Sequence, residues 1–529
     1  MMRGGRILVV AVVLVGTLGL LTTSGGGLRA LLPPLVAIAL ALLTGKSLLA
    51  LGAGLAAACW LLASGRPLDS VEIAFRILGG ALVSSFSLSI LAFVLGLIGM
   101  IAIATRCGGT RGLVELVASR VRTARSVQLA TALAGLAVFF DDYSNCVVVG
   151  TSMRPLSDRA RVSREKLAYL VDSTAASLAS MTLLSTWAWF EIGLLQEPLL
   201  AVGAVAEKSE VYRMFWRLVP LRFYCLATLV LLFLSVLQRR DLSTMARAEK
   251  RARQTGQVAS PASRPLSTRG LLEVTEKDGV PARWYNAAVP LGTVILLLLL
   301  GFFLPGISLE RSTVVALAAV AGSLVACLLA CGQRLLTPGE AVRAWLSGAR
   351  TMVLALTVLV LAWAISDALR ELGTADTCVA WLEGRSLGVV LPLAIFLLAA
   401  FVSFATGSSW STMGLLLPTV IPVAWEVGPT TPAGNLGLTL LAASAVLDGS
   451  IFGDHCSPLS DTTILSSAAC SCNHVDHVRT QLPYALLSMI MAAGMGYLPC
   501  ALGWSPWLFV PMAALALFAV LRVIGVRVP

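Results

Sequence analysis

Asp448-Gly449-Ser450-Ile451-Phe452-Gly453-Asp454-His455-Cys456-Ser457-Pro458-Leu459-Ser460-Asp461-Thr462-Thr463 interrupts an apolar run from about 434 to 470. It places three carboxylates within fourteen residues of a segment that otherwise reads as buried in lipid. A charge at that depth carries a large desolvation penalty unless it faces a wet cavity or a cation. Gly453 and Pro458 are expected to interrupt the helix and expose backbone carbonyls beside the acids. Carboxylate and carbonyl oxygens are hard ligands suited to a small cation such as Na⁺. Burial penalises an ionised carboxylate, so such a group takes a proton when the cation leaves.

The surrounding chain fixes the setting. Of its 529 residues 57% are hydrophobic and 13% charged, too little charge to cover a water-soluble surface of this size. The net charge of +11 sits in short basic segments between apolar runs, which is the pattern that orients membrane spans rather than a footprint for nucleic acid. Several of the eleven Cys, including Cys225, Cys327 and Cys331, lie inside apolar runs and read as small buried side chains. Residues 7 to 21 follow Arg3 and Arg6 and read either as a signal peptide or as a first span; without an Ala-x-Ala cleavage pattern the retained span is favoured.

Apolar runs long enough to cross about 30 Å of hydrocarbon recur near 7–24, 30–45, 47–64 and 77–104. Val127 to Met153 is flanked by Arg120, Arg122 and Arg125 on one side and Arg154, Arg159, Arg161 and Arg164 on the other. A re-entrant hairpin keeps both flanks inside and puts Asp141-Asp142-Tyr143-Ser144-Asn145 at its tip, where irregular backbone is tolerable only against protein or a wet cavity. A long run at 167–197 and another at 218–238 precede a polar loop carrying Arg239, Arg240, Arg247, Lys250, Arg251 and Arg253, read as a cytoplasmic linker without chemistry of its own. Spans near 287–304, 312–331 and 350–368 then lead to a segment at 387–425 broken by Thr406-Gly407-Ser408-Ser409-Trp410-Ser411-Thr412. Arg334, Arg343 and Arg350 on one side, and Glu371 and Asp376 on the other, orient this second hairpin opposite to the first. Spans at 484–500 and 504–522 complete the chain.

The expected fold is therefore an all-α polytopic membrane protein of about twelve transmembrane helices with two re-entrant hairpins in inverted-topology repeats. Its parts are an N-terminal transmembrane segment (1–29), a first repeat (30–238, hairpin 127–153), a linker (239–286), a second repeat (287–500, hairpin 387–425) and a C-terminal helix (501–529). Repeats of this kind with discontinuous helices are the usual construction of secondary transporters.

Asp454 and Asp461 are the leading ion and proton ligands, with Asp142, Asp141 and Asp172 as further members. Ser408, Ser409 and Thr412 offer hydroxyl oxygens from the opposite hairpin tip, although such a run equally suits close helix packing. Competing readings for the acids are pairing with interfacial arginines, strongest for Asp158, and capping of broken helices. All three histidines fall at 455, 474 and 477. His455 beside Asp454 is the proton-linked candidate. His474 and His477, with Cys470 and Cys472, do not match structural zinc spacing and read as residues at an interfacial helix end, with sensing of cytoplasmic pH as a secondary role. No nucleotide-binding or metalloprotease pattern is present, so the chain is read as no enzyme, with no cofactor and an ion gradient as its energy source.

Three segments also resemble the NhaC-type sodium/proton antiporter family, which includes sodium-coupled malate/lactate exchangers: Phe140-Asp-Asp-Tyr-Ser-Asn-Cys-Val-Val-Val-Gly150, Ala405-Thr-Gly-Ser-Ser-Trp-Ser-Thr-Met-Gly414 and Phe452-Gly-Asp-His-Cys-Ser-Pro-Leu-Ser-Asp-Thr-Thr463. His474-Val-Asp-His-Val-Arg-Thr-Gln-Leu-Pro483 resembles the tail that follows in one subgroup. The resemblance covers about 75–500 and puts Asp142, Asn145, Ser408, Ser409, Asp454, Ser457 and Asp461 on the family's polar motif positions, with Asn145 and Ser457 as substrate contacts. Asp448 lies just outside the core motif. It implies Na⁺/H⁺ antiport across a bacterial cytoplasmic membrane, with Na⁺, H⁺ and lipid as partners, no nucleic acid, and a homodimer as an open assembly. The intramembrane acids, without a clustered buried arginine, favour this over the alternative, Na⁺-coupled transport of a small organic anion or amino acid.

Overall fold

The computed structural model describes residues 26–44, 46–118, 121, 123–207, 210–260, 276–303, 311–374, 377 and 388–528. The expected span at 7–24 and Asp376 lie outside them. The first half runs α1 (Leu32–Thr44), α2 (Ser47–Leu62), α3 (Pro67–Val83), α4 (Ser85–Arg106), α5 (Gly109–Ala118), α6 (Ala124–Ala137), α7 (Asp142–Arg159), α8 (Arg164–Ala179), α9 (Thr186–Ala201), α10 (Val211–Leu218) and α11 (Phe223–Gln238). Strand β1 (Arg240–Asp241) and α12 (Ser243–Thr255) open the linker. The second half runs α13 (Tyr285–Phe303), α14 (Arg311–Gly332), α15 (Pro338–Thr351), α16 (Val353–Glu371), α17 (Leu391–Thr406), α18 (Ser409–Val427), α19 (Gly434–Cys456), α20 (Asp461–Ala469) and α21 (His474–Met491); α22 (Phe509–Ile524) and β2 (Val526–Arg527) follow.

The chain is a multi-pass membrane protein. Among the described residues seven helices are long and apolar enough to cross a bilayer, and α10 and α11 form one further bent pair with a 48° kink. This differs from a plain count of apolar runs because several runs are cut: 127–153 becomes α6 and α7, 167–197 becomes α8 and α9, and 387–425 becomes α17 and α18. Outer helices turn apolar side chains outward, as Leu324 and Leu328 do on α14 and Leu515 and Val523 on α22. By contrast α19 is 89% buried, although it carries Asp448, Asp454 and His455. A lipid-facing helix has no reason to hold such residues, whereas a central one can line a site.

The two halves interlock. α2 and α3 of the first half pack on α16 of the second, while α14 and α15 pack on α4. α6 and α7 flank α8, and α17 and α18 flank α19. α7 also touches α20, and α18 touches α9, so each unit reaches the far side of the other half's broken helix. Small residues permit these approaches: a Cβ on Gly453 would lie 2.3 Å from Ser403 Cβ, and one on Gly150 2.8 Å from Ala469 Cβ. Gly453 thus remains inside α19 and serves packing, and the helix break falls after it, at 457–460.

On the linker side, α12 is docked. Gln128 donates to Glu249 at 3.0 Å, Arg251 forks onto Glu165, and Lys166, fully buried, donates to Asp241 at 2.6 Å. Tyr484 completes that contact by donating to Asp241 at 2.7 Å. β1 pairs antiparallel with β2, Arg240 opposite Arg527. Buried ion pairs thus dock the linker on the first half.

Candidate functional site

Each helix-break-helix unit brings its tip to a break in another helix. In the first, Asp141 caps α7, its Oδ2 accepting from the Ser144 N–H at 2.8 Å. Its Oδ1 accepts from the Thr186 hydroxyl at 3.2 Å, and the Thr186 N–H donates to the Phe140 carbonyl at 3.1 Å. The tip is thereby fastened to the first turn of α9. Asn145 holds the arms together, its amide donating to the Gly135 and Val138 carbonyls at 2.8 and 3.1 Å. Capping and cross-strapping thus account for Asp141 and Asn145.

Asp142 has no such employment. Its carboxylate is fully buried, and neither oxygen has a hydrogen-bond partner among the described residues. Asp141 and Asp454 lie within its electrostatic reach, and the Trp187 indole and the Tyr143 N–H lie beside it, but neither N–H closes a hydrogen bond to it among the described residues. An unpaired buried charge costs several kcal/mol, so Asp142 calls for a proton or a cation.

Asp454, at the end of α19, is held by hydroxyls: Ser460 donates to Oδ1 at 2.6 Å and Thr462 to Oδ2 at 2.7 Å. Asp172 on α8 accepts from Gln481 at 2.5 Å and Ser466 at 3.3 Å. No Arg or Lys bridges Asp142, Asp172, Asp454 or Asp461 among the described residues. Asp461 opens α20 and, with Asp141, Tyr143, Thr105 and Thr351, faces a cavity of about 390 Å³ between α4, α7, α15 and α20. Both charged residues lining it are acidic. His455 is buried against Tyr224, whose hydroxyl is 3.0 Å from Nδ1, while Nε2 is left without a partner among the described residues.

The second tip contributes less free chemistry than its sequence suggests. Ser408 caps α18 by accepting from the Ser411 N–H, and the Thr412 hydroxyl donates to the Ser408 carbonyl at 2.9 Å. Ser409 is buried in the first turn of α18. Gly407, at φ +72°, lies against Leu459 in the α19 break, and the Trp410 ring packs tilted against Trp187 and edge-on against Phe190, with centroids 4.7 and 4.5 Å apart. Ser457, also buried, accepts from the Leu459 N–H at 3.2 Å. The Pro458 carbonyl is taken by His474 at 2.8 Å. Asp158 forms a two-pronged ion pair with Arg164 at 2.8 and 2.9 Å, as its basic flank suggests.

One reading of the sequence is corrected: His477 is fully buried rather than interfacial, bridging Ser467 and Gln481 at 2.8 Å each. A single buried arginine, not singled out from the sequence, pairs with two acids: Arg222 donates to Asp448 and Glu191, both at 3.0 Å, and to the Ser180 carbonyl at 3.2 Å. The signal for it was a lone Arg and a lone Glu in apolar surroundings.

The Na⁺/H⁺ antiporter family model matches residues 178–500. An uncharacterized protein of Haemophilus influenzae is 31% identical over 493 residues, covering 88% of this chain and 90% of that one. The malate-2H⁺/Na⁺-lactate antiporter of Bacillus subtilis is 34% identical over 101 residues, 19% of this chain and 20% of its own. Among solved structures, the Alcanivorax borkumensis YdaH transporter superposes with a TM-score of 0.56 at 16% identity, covering 83% of this chain and 90% of that one, a likeness of fold alone. The family match spans more than half the chain and includes the broken helix with Asp454 and Asp461, so this chain belongs to the Na⁺/H⁺ antiporter family.

Proposed function

We propose that this chain is a secondary antiporter that exchanges Na⁺ for H⁺ across a bacterial cytoplasmic membrane, with Asp142 and Asp454 at the heart of the ion site and Asp172 and Asp461 flanking it. The observation that carries this is the Asp142 carboxylate, buried without a hydrogen bond or a basic partner among the described residues and within the field of Asp141 and Asp454. Such a group is stable when neutralised, and only two neutralising species are available in an ion exchanger, a cation and a proton. Na⁺ bound to the ionised acids and H⁺ bound to the empty site are mutually exclusive states. Their competition couples the two fluxes without a separate gate for each.

The reading takes the two helix-break-helix units as re-entrant hairpins of inverted repeats, 30–238 and 287–500. The reciprocal packing supports this: α7 lies against α8 and α20, and α18 against α19 and α9. Asp461, open to the cavity, is the entry ligand, and His455, Asn145, Ser408, Ser409, Thr412 and Ser457 shape the surroundings. A malate-type dianion is a poorer fit for that cavity, whose charged lining consists of Asp141 and Asp461.

The test is Na⁺-driven proton movement in everted vesicles, or in proteoliposomes offered a panel of cations and organic anions. Exchange that requires Na⁺ and disappears in Asp142→Asn and Asp454→Asn is the expected result. Undiminished exchange in both variants, or transport of labelled malate, lactate or an amino acid in place of protons, overturns the proposal.

A further inference from the structure

Two histidines and a serine beside the ion site have fewer protons than their hydrogen bonds require. His474 Nε2 lies 2.8 Å from the Pro458 carbonyl oxygen. A carbonyl only accepts, so that nitrogen carries a proton. The Gln481 amide nitrogen faces the Asp172 carboxylate at 2.5 Å and the His455 carbonyl at 3.0 Å. Both are acceptors, which fixes the orientation of the amide and turns its oxygen to His477 Nε2 at 2.8 Å. His477 Nε2 therefore carries a proton too.

Each neutral ring is left with an unprotonated Nδ1, and both point at one hydroxyl. Ser467 Oγ is 2.8 Å from His477 Nδ1 and 3.2 Å from His474 Nδ1. The same oxygen lies 2.6 Å from the Thr463 carbonyl. Three acceptors thus face a hydroxyl that has a single proton to give. One additional proton reduces the conflict from two unmet acceptors to one. Placed on His474 Nδ1, it donates to Ser467 Oγ and leaves the hydroxyl proton free for His477 Nδ1 or the Thr463 carbonyl.

We propose that His474, Ser467 and His477 form a proton-binding site separate from the transported-ion carboxylates, which takes up one proton on His474 and is joined to Asp172 through Gln481. His474 is the half-buried member and His477 the buried one, so the proton enters at His474. On α8 the site faces Asp172, and Arg164 donates to the Cys470 and Ser471 carbonyls; on α7, Arg154 donates to the Ser471 hydroxyl. Asp158 neutralises Arg164. From α19 come Asp454 and His455. Asp476 and Arg479 of α21 meet Arg247 and Arg251 of α12, with Glu165, around a cavity at the linker.

The consequence for transport rests on the Na⁺/H⁺ reading. A proton on His474 adds positive charge to a network ending on Asp172, which opposes Na⁺ at the neighbouring acids. The apparent KM for Na⁺ then rises more steeply on acidification than competition at the carboxylates alone produces.

The chain has three histidines, so protein with ¹⁵N-labelled imidazoles gives three assignable rings by NMR, using His455→Gln, His474→Asn and His477→Gln for assignment. At alkaline pH both His474 and His477 are expected as Nε2–H tautomers. Between about pH 8 and pH 5 one proton is expected to enter at His474, and Ser467→Ala moves that uptake to lower pH. A neutral Nδ1–H tautomer on either ring, or no uptake by the pair in that range, overturns the site. In proteoliposomes, the slope of log KM for Na⁺ against pH is expected to fall by about one proton in His474→Asn, with Ser467→Ala as the second variant should the first not fold. An unchanged slope overturns the coupling to transport. A wild-type protein that moves no Na⁺ overturns the antiport reading instead, and the NMR titration still decides the proton site.

Discussion

Arg222 Nε donates to Asp448 Oδ1 at 3.0 Å, joining the kink between α10 and α11 to the middle of α19 across 226 positions of sequence. The guanidinium also holds Glu191, while Asp448 accepts from the Tyr224 N–H at 2.7 Å and the Tyr497 hydroxyl at 2.8 Å. Removing one member of a buried ion network leaves the others uncompensated, at a cost of about 3–5 kcal/mol. Arg222→Met is expected to unfold at markedly lower temperature in detergent, and adding Glu191→Gln and Asp448→Asn should recover most of the loss. A single variant as stable as the wild type would show that the cluster does not secure the kink.

Asp142 and Asp454 are expected to part company in stability, although the proposed exchange needs both. Asp142 makes no hydrogen bond among the described residues, so Asp142→Asn removes a buried charge without breaking one and is expected to unfold no earlier than the wild type. Asp454 accepts on both oxygens; Asp454→Asn turns one acceptor into a donor and costs about 1–3 kcal/mol. Thermal unfolding of the two variants beside their transport rates separates a role in exchange from a role in folding. Asp142→Asn melting well below Asp454→Asn would contradict this assignment.

Gly407 is needed twice over. Its φ of +72° suits a residue without a Cβ, and a Cβ there would lie 2.6 Å from Leu459 Cβ. Gly407→Ala meets a left-handed penalty of about 1–2 kcal/mol and pushes the second tip away from the break at 457–460. Reduced thermal stability and slower exchange are expected together. Gly292→Ala, with no neighbour within 4 Å of the new Cβ among the described residues, is the control and should leave both unaltered.

Outside the apolar spans, Glu340 opens α15. The Thr337 N–H and then the Lys277 ammonium, at 2.9 and 3.0 Å, pull its carboxyl down to about 2. A carboxyl whose folded value is depressed stabilises the protein fully above the ordinary carboxylate range, and this contribution is lost as pH falls toward the folded value. The difference in unfolding temperature between wild type and Glu340→Gln should therefore be constant from neutral to mildly acidic pH and shrink only in strong acid. A difference that vanishes near neutrality would place the effect elsewhere.

Much of the proposed ion site was legible because its signal is local: a carboxylate in an apolar window is expensive wherever it occurs, and Asp142, Asp172, Asp454 and Asp461 stand out on that ground alone. What the windows could not supply was the list of partners. Arg222 reads as an interfacial charge at the start of a span until Asp448 arrives from the second half, and Gln481 reads as an ordinary polar residue until it is seen linking Asp172 to His477. Hydroxyls misled in the other direction. Ser408 and Thr412 resemble free ligands in sequence, yet both are engaged by the backbone of their own helix turn. The break in α19 was placed from Gly453 and Pro458, but glycine in a crowded interior serves close contact as readily as chain reversal, and here it seats α17.

The pairing of β1 with β2 also bears on biogenesis. Arg240 leaves the ribosome 287 residues before Arg527 (527 − 240), with which it pairs. At ordinary elongation rates that interval is roughly 15–60 s. Throughout it Asp241 can already engage Lys166, but the small sheet beside them lacks its second strand. The nascent first half must therefore persist in the bilayer with that edge open, available to a chaperone or to a neighbouring nascent chain, until the last helix has been inserted and the tail turns back.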